Sequence, residues 1–418
     1  MASLPGADSG HYPEDLELTL LQVVHRHGER TPVRKRLEKL FPTVWKMCDA
    51  NAHMFATIVS LDPSAQKQFV PLQRLVDEDA IIKKPHVHSP GACYYGQLTN
   101  LGRHSMATLG ARLREIYVDR LKFLPDIYDQ SMVTIRSTDY QRTQESVQQL
   151  VAGGLYPADK RGDDFVLQIA TRDPVVENMF PNPNCYRLRQ LAKEFKKEVD
   201  EKCKDKFESL TERLKNHVDS VSLDSHPSAN GILDTLVAAR AHGFELPVDI
   251  DDGVIRDLED VVVLEWFHGV MRSDEARRLS TGRIVGEIRD RMAEKAIGVN
   301  DRKLHVYSGH DTTVGPLLIS LGGFDNRWPP FSSSVIFELF KQKGASPSWT
   351  SRLFGGQEKG PHFVRVRYND KILELPGCQA AGDHHESGDK SLCTFEAFQK
   401  IVKDQVPDNW KEECAYRS

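Results

Sequence analysis

The stretch RHGERTP, residues 26–32, most constrains what this chain can fold into. It follows an apolar run, Leu18 to Val24, that indicates a buried strand, and Pro32 stops any regular continuation. A guanidinium is planar, always charged and shaped to hold phosphate oxygens in pairs. Because Arg26 and Arg30 flank one histidine just after this run, the stretch predicts an anion site at the end of the strand.

The histidine between the arginines, His27, suggests more than a binding site. An imidazole can attack phosphorus and carry it covalently. The next residue, Gly28, has no Cβ, which lets the backbone pass close to a ligand. The alternative interpretation is a basic surface turn with a solvated histidine.

A second element, His310-Asp311, lies far downstream in the chain. It follows a strand-like run, Lys303 to Ser308, and precedes an apolar run, Val314 to Leu321. Ligands sit at the C-terminal ends of strands in open α/β sheets. We therefore expect both elements to face the same anion, which weighs against the surface-turn alternative.

Together, RHGERTP and SGHDTT, residues 308–313, resemble the histidine acid phosphatases, the acid phosphatase and phytase branch of the histidine phosphatase superfamily. The resemblance implies that Arg26 and Arg30 hold the phosphate and that His310 donates a further hydrogen bond. It also implies that His27 is the nucleophile and that Asp311 is the proton donor.

Residues 136–143 follow a second short predicted strand and resemble the family segment that supplies a third phosphate-binding arginine. The match points to Arg142, which would lie in a first helical turn, where backbone N–H groups also favour anions. A solvated surface arginine is the alternative for Arg142. For Arg136, a structural salt bridge is the preferred interpretation.

Predicted strands alternate with helices, so we expect an α/β fold with a mostly parallel central sheet flanked by helices. One of the predicted strands is Phe165 to Ile169. The core is predicted to comprise residues 16–34, 97–175 and 251–418. Residues 35–96 and 176–250 are interpreted as insertions that form a smaller, mainly helical cap, with short helices in the first of them.

The composition limits the kinds of partner that this 418-residue chain is expected to bind. Its formal net charge of −5 gives no basic field for nucleic acid, and no apolar run is long enough to span a membrane. Residues 1–15 lack a signal pattern and no Asn-X-Ser/Thr acceptor occurs, which favours an intracellular location. The resembling family is often secreted or lysosomal, however, so removal of a leader stays open, as does the oligomeric state.

Seven cysteines do not make a disulfide scaffold, and no two have zinc-knuckle spacing. Members of the resembling family often carry a disulfide near the point where Cys378 and Cys393 flank a polar loop, so the resemblance implies this pair. Two unpaired cysteines in a reducing compartment are the alternative. The adjacent His384 and His385 are interpreted as solvated side chains rather than metal ligands.

The predicted reaction is metal-independent hydrolysis of phosphate monoesters through a phosphohistidine on His27, with Asp311 as proton donor. Arginines would neutralise the charge of a small phosphorylated substrate, so no metal or cofactor is expected. Two alternatives stay open, a phosphoglycerate mutase-like phosphotransferase and a catalytically silent phosphate-binding homologue. Phytate, sugar phosphates, lysophosphatidic acid and phosphorylated proteins all stay open as substrates, although residues 328–331 resemble the lysophosphatidic acid phosphatase branch.

Overall fold

A computed structural model describes residues 12–49, 53–58, 68–73, 91–344 and 360–415. The chain forms two compact units. The first comprises Met1–His27, Met106–Lys202 and Val263–Ser418, and the second comprises Gly28–Ser105 and Cys203–Val262. Residues 176–202, which the sequence assigned to an insertion, belong to the first unit. A cap role for the second unit stays a prediction.

The described residues contain nine strands, and seven of them form one sheet in the first unit. In chain order the strands are β1 (Leu16–Arg26), β2 (His53–Ile58), β3 (Gln68–Gln73), β4 (Val133–Ser137), β5 (Leu304–Gly309), β6 (Ser334–Gln342), β7 (His362–Tyr368), β8 (Lys371–Leu373) and β9 (Cys393–Thr394). The large sheet has the order β4-β5-β1-β6-β7-β8, and β9 pairs with β7. Strands β4, β5 and β1 run parallel, whereas the pairings that involve β6 to β9 are antiparallel. The α/β fold class is confirmed, and the parallel part of the sheet carries the predicted motifs.

Ten α-helices lie within the same described ranges. They are α1 (Asn100–Arg114), α2 (Gln141–Gln148), α3 (Tyr186–Lys202), α4 (Lys204–Leu214), α5 (Ala229–Ala241), α6 (Asp252–Arg272), α7 (Asp274–Ala296), α8 (Asp311–Leu321), α9 (Phe395–Lys403) and α10 (Trp410–Glu413). Two π-helical segments, Glu115–Arg120 and Gln149–Leu155, continue α1 and α2. In the part of the chain that the structure describes, none of the helices combines the length and apolarity needed to cross a bilayer.

From Leu20 to Arg26, strand β1 is buried, and its apolar side chains there lie on both faces of the sheet. Leu20 and Val24 join an apolar cluster with residues of α7 and α8. Leu21 and Val23 join the cluster on the other side, which includes residues of α1 and α2. Each of these side chains contributes about 1.5–3 kcal/mol when fully buried. This two-sided packing fixes the position of the last residue of the strand, Arg26.

Two glycines allow a close backbone crossing in the second unit. A Cβ on Gly28 would overlap the backbone of Gly102 near the start of α1, and a Cβ on Gly102 would overlap the carbonyl oxygen of Glu29. Any larger residue at either position would therefore force the two segments apart. The sequence suggested that Gly28 makes room for a ligand, whereas within this unit its close neighbour is the backbone of α1.

Two secondary-structure predictions are wrong. Phe165 to Ile169 forms no strand, and only the next residue, Ala170, pairs with Arg136 in an isolated bridge. The alternating apolar residues of this stretch pack against the core. This alternation does not show whether the backbone pairs with a neighbouring strand. The prediction of short helices between 33 and 96 is wrong for β2 and β3, which pair antiparallel. The first of these strands is rich in residues that favour strands over helices, namely phenylalanine, threonine and isoleucine.

Three disulfides cross-link the described chain. The predicted Cys378–Cys393 pair is present. Cys48 is bonded to Cys93 in the second unit, and Cys185 is bonded to Cys414 in the first. The seventh cysteine, Cys203, is buried and lies outside these pairs.

We predict that one thiol per chain reacts in denaturant without reductant, and that all seven react after full reduction. Three disulfides account for six cysteines, and unfolding exposes the buried thiol of Cys203. Thiol titration of the purified protein measures this, and peptide mapping under non-reducing conditions identifies the pairs. Three or more reactive thiols before reduction would show that at least one of the pairs does not form.

Candidate active site

The two sequence motifs meet at the C-terminal ends of β1 and β5. The parallel register of these strands places Arg26 opposite Gly309. The backbone N–H of His27 donates to the carbonyl oxygen of Gly309 at 3.1 Å. Strand β4 runs parallel beside β5 and ends at Ser137, which pairs with Ser308. Residues that leave these three strand ends therefore share one edge of the sheet.

His27 and His310 face each other in this region. Their ring centroids are 5.6 Å apart, with the rings nearly perpendicular, and both side chains are buried. The His27 ring also lies beside that of Phe331, at 5.9 Å between centroids. The carbonyl oxygen of His27 accepts a hydrogen bond from the N–H of Ser332 at 3.0 Å. Backbone hydrogen bonds on both sides thus hold His27 in place.

Arg26 forms a shielded ion pair with Asp311. Its Nη2 lies 2.7 Å from Asp311 Oδ2, and the two side chains are 3% and 14% exposed. Nη1 donates to the carbonyl oxygen of Pro329 at 2.5 Å, and the guanidinium carbon lies 4.3 Å from the centre of the Phe331 ring. The guanidinium is therefore held in one orientation beside the predicted nucleophile, with the predicted acid in contact with it.

His310 immediately precedes α8, at the end where the helix dipole favours negative charge. Its Nε2 lies 3.0 Å from the hydroxyl oxygen of Thr138. Its backbone N–H donates to the hydroxyl oxygen of Thr313 at 3.0 Å. The N–H of Thr312 donates to Asp311 Oδ1 at 2.8 Å, so the carboxylate is also tied to the start of the helix.

Arg142 lies in the first turn of α2, as the sequence predicts. Its guanidinium carbon is 4.7 Å from the centre of the Tyr140 ring. The Tyr140 ring in turn meets the His310 ring edge-on, at 5.0 Å between centroids. Tyr140 thereby connects the third predicted phosphate-binding arginine to the cluster around His310.

Arg30 belongs to the second unit, where it forms an ion pair with an aspartate of that unit. Its Nη1 lies 2.9 Å from Asp234 Oδ1 and 3.0 Å from the carbonyl oxygen of Thr31. The side chain is almost fully buried in this arrangement. Its predicted contact with a phosphate rests on the sequence motif.

The histidine two residues before His27 has a different environment. His25 lies within β1 and is fully buried, and this burial lowers its pKa to about 4. Its Nδ1 donates to the carbonyl oxygen of Arg26 at 3.0 Å, which keeps the ring in the strand. His25 is therefore a neutral core residue at ordinary pH.

Three aromatic residues contact the two histidines, and the sequence did not predict these contacts. Tyr140 and Phe180 both contact the His310 ring, and Phe331 contacts the His27 ring. Two of these residues lie in irregular segments, where no periodic pattern marks them, and Tyr140 caps the start of a helix. Phe180 falls in a stretch that the sequence assigned to an insertion.

Arg136 adopts the role that the sequence favoured for it. Its Nη1 lies 3.0 Å from Glu177 Oε1, and both side chains are buried.

Within the described ranges, no three His, Cys, Asp or Glu side chains lie close enough together to hold a metal ion.

Comparisons with known proteins agree with these motifs. The profile of the histidine phosphatase superfamily (branch 2) matches residues 17–369. A probable acid phosphatase from Schizosaccharomyces pombe is 32% identical, across 99% of this chain and 96% of that protein. Lysophosphatidic acid phosphatase type 6 from Homo sapiens is 28% identical, across 86% of this chain and 83% of that protein.

Solved structures share the fold. The phytase from Hafnia alvei in complex with myo-inositol hexakis sulphate has a TM-score of 0.61 at 13% identity, across 97% of this chain and 100% of that one. The phytase from D. castellii has a TM-score of 0.60 at 16% identity, across 96% of this chain and 82% of that one. At these identities the likeness extends to the fold alone.

Proposed function

Because this chain belongs to branch 2 of the histidine phosphatase superfamily and is a histidine acid phosphatase, we propose that it hydrolyses phosphate monoesters through a phosphohistidine on His27, without a metal ion. The observation that carries the proposal is the buried cluster at the ends of β1 and β5. It places His27 against His310, and Arg26 in contact with Asp311. The acid phosphatase relatives favour hydrolysis over the mutase-like transfer and the silent binding that the sequence left open.

In the first step, the neutral imidazole of His27 attacks the phosphorus of the bound ester. The bond between nitrogen and phosphorus forms as the bond to the leaving oxygen breaks. The protonated carboxyl of Asp311 delivers its proton to that oxygen, which leaves as the alcohol. Arg26 neutralises charge on the equatorial phosphate oxygens while this happens.

In the second step, water attacks the phosphohistidine. Asp311, now ionised, accepts a proton from this water, and the bond between nitrogen and phosphorus breaks. Inorganic phosphate is released, and both His27 and Asp311 return to their starting states. The cycle consumes one water molecule per ester and needs no other reactant.

Two more arginines belong to this proposal. Arg142 would hold a second edge of the phosphate, supported by its position in the first turn of α2 and by its contact with Tyr140. Arg30 is assigned a similar role on the strength of the motif alone. The substrate is proposed to be a small phosphorylated molecule, as the names of the phosphatase and phytase relatives suggest.

We predict that His27→Ala retains less than about 1% of wild-type activity, because a covalent nucleophile is lost. The measurement is phosphate release from nitrophenyl phosphate, with thermal unfolding followed to establish that the variant folds. In wild type, rapid quenching at high pH followed by mass spectrometry should find a phosphoryl group on the peptide that contains His27. A folded variant that keeps more activity would remove His27 from the nucleophilic role.

We predict that Asp311→Asn loses far more rate on an alkyl phosphate than on nitrophenyl phosphate. An amide is nearly isosteric with the carboxyl but delivers no proton, and a strongly basic leaving oxygen needs that proton more than an activated phenol does. The ratio of the two rates in wild type and variant measures this effect. The exposed Asp325 in the same unit provides a matched control, since Asp325→Asn should leave the ratio unchanged. An unchanged ratio in Asp311→Asn would assign the acid to another residue.

We predict that exhaustive treatment with a chelator leaves the rate unchanged. Arginines carry the charge neutralisation in the proposed reaction, where metal phosphatases use clustered carboxylates and histidines. A magnesium-dependent phosphatase treated in parallel confirms that the chelator works. Loss of activity that a divalent ion restores would overturn the metal-independent mechanism.

A further inference from the structure

A short segment, residues 177–180, lies between α2 and α3 in the first unit. It has no regular secondary structure, yet Glu177, Asn178 and Met179 are 2%, 4% and 1% exposed. Buried backbone outside helices and strands must find hydrogen-bond partners elsewhere. The hydrogen bonds of this segment therefore identify the groups that stabilise it and the groups that it stabilises.

The carboxylate of Glu177 organises the segment from within. Its Oε1 accepts hydrogen bonds from the N–H groups of Asn178 and Met179, at 2.7 and 2.8 Å. The same oxygen accepts from Arg136 Nη1 at 3.0 Å, and Arg136 Nη2 donates to the side-chain oxygen of Asn178 at 2.7 Å. The guanidinium of Arg283 holds the segment from outside by donating to the carbonyl oxygen of Glu177 at 2.7 Å.

The other end of the segment reaches the candidate active site. The carbonyl oxygen of Met179 accepts a hydrogen bond from the hydroxyl of Thr313. The same hydroxyl oxygen accepts the backbone N–H of His310 at 3.0 Å. The Phe180 ring lies 6.1 Å from the His310 ring, centroid to centroid. A series of hydrogen bonds, joined through the backbone of Met179, thus runs from Arg136 through Glu177 and Thr313 to His310.

We propose that Glu177 and Thr313 are positioning residues for His310, an inference that rests on the proposed function of the site. Thr313 is 2% exposed, and its one hydroxyl both donates to Met179 and accepts from His310, so its orientation is fixed. Glu177 holds the backbone N–H of Met179, the residue whose carbonyl oxygen accepts the hydrogen bond from the Thr313 hydroxyl. Neither side chain touches the phosphate in this role. They act by fixing the backbone from which the His310 side chain projects.

The position of His310 matters because its side chain must lie within hydrogen-bond distance of the phosphate to act in the proposed reaction. A displacement of about 1 Å in a reacting geometry can cost on the order of a hundredfold in rate. Loss of one preorganised hydrogen-bond donor at a developing charge costs about 10²–10³-fold. Releasing the backbone of His310 should have a smaller effect than removing its ring.

The test is a double-mutant cycle in the whole 418-residue chain. Thr313→Val removes the hydroxyl and keeps the shape, and we expect it to lower kcat on nitrophenyl phosphate about tenfold. We expect His310→Ala to lower kcat about a hundredfold. If Thr313 acts through His310, the double variant should match His310→Ala alone. Thr313→Ser, which keeps the hydroxyl, should restore kcat to within about twofold of wild type.

Glu177→Gln provides a second arm of the cycle. The amide keeps an oxygen for the two backbone N–H groups but loses the charge that faces Arg136. We expect a smaller loss of kcat, about threefold, that likewise disappears in the His310→Ala background. This variant reports on the far end of the same hydrogen-bond series.

Ser320→Ala is the matched control. Ser320 is a buried residue of the same helix, and its hydroxyl has no hydrogen-bond partner among the described residues. Its removal should leave kcat unchanged, which separates the loss of the Thr313 contacts from the loss of any buried hydroxyl. Additive effects of Thr313→Val and His310→Ala, or failure of Thr313→Ser to restore kcat, would overturn the proposal. Either result would leave the results for His27 and Asp311 untouched.

Discussion

The parallel register between β1 and β5 is the constraint on which the rest of the site depends. It places Arg26 beside Gly309, so two motifs almost three hundred residues apart in the chain leave the sheet side by side. Because apolar side chains anchor β1 from both faces, a one-residue slip would turn its whole core face around. The register therefore follows from the packing, and the site follows from the register.

Buried charge is the second constraint, and it explains why the surrounding side chains are so closely held. Arg26 with Asp311, and Arg136 with Glu177, are ion pairs largely removed from water. Removing one partner of a buried pair costs about 3–5 kcal/mol, because the other charge stays behind unpaired. Backbone groups also satisfy each pair: the N–H of Thr312 and the carbonyl oxygen of Pro329 contact the first pair, and the N–H groups of Asn178 and Met179 contact Glu177. Such a framework is preorganised before a substrate binds.

The sequence predicted the parts of this framework that depend on local pattern. Buried strands with polar turns after them located His27 and His310, and the salt bridge of Arg136 was anticipated. Features that depend on contacts between distant residues were not predicted. Phe180 lies in an irregular segment without a periodic pattern, and the spacing of cysteines does not determine which of them pair. The Cys185–Cys414 bond is of this kind. Disulfides persist mainly in oxidising compartments, so these three bonds weigh against the intracellular location that the sequence favoured.

The contact between Arg26 and Asp311 bears on the order of events in the proposed reaction. A guanidinium 2.7 Å from a carboxylate favours the ionised form, which has no proton to give. A phosphate ester bound to Arg26 brings negative charge to the same guanidinium and offsets its effect on Asp311. Binding would thereby favour the protonated carboxyl at the moment when the leaving oxygen needs a proton. After the alcohol departs, phosphohistidine carries the phosphoryl group and Asp311 is ionised beside Arg26 again, which suits it to accept a proton from water.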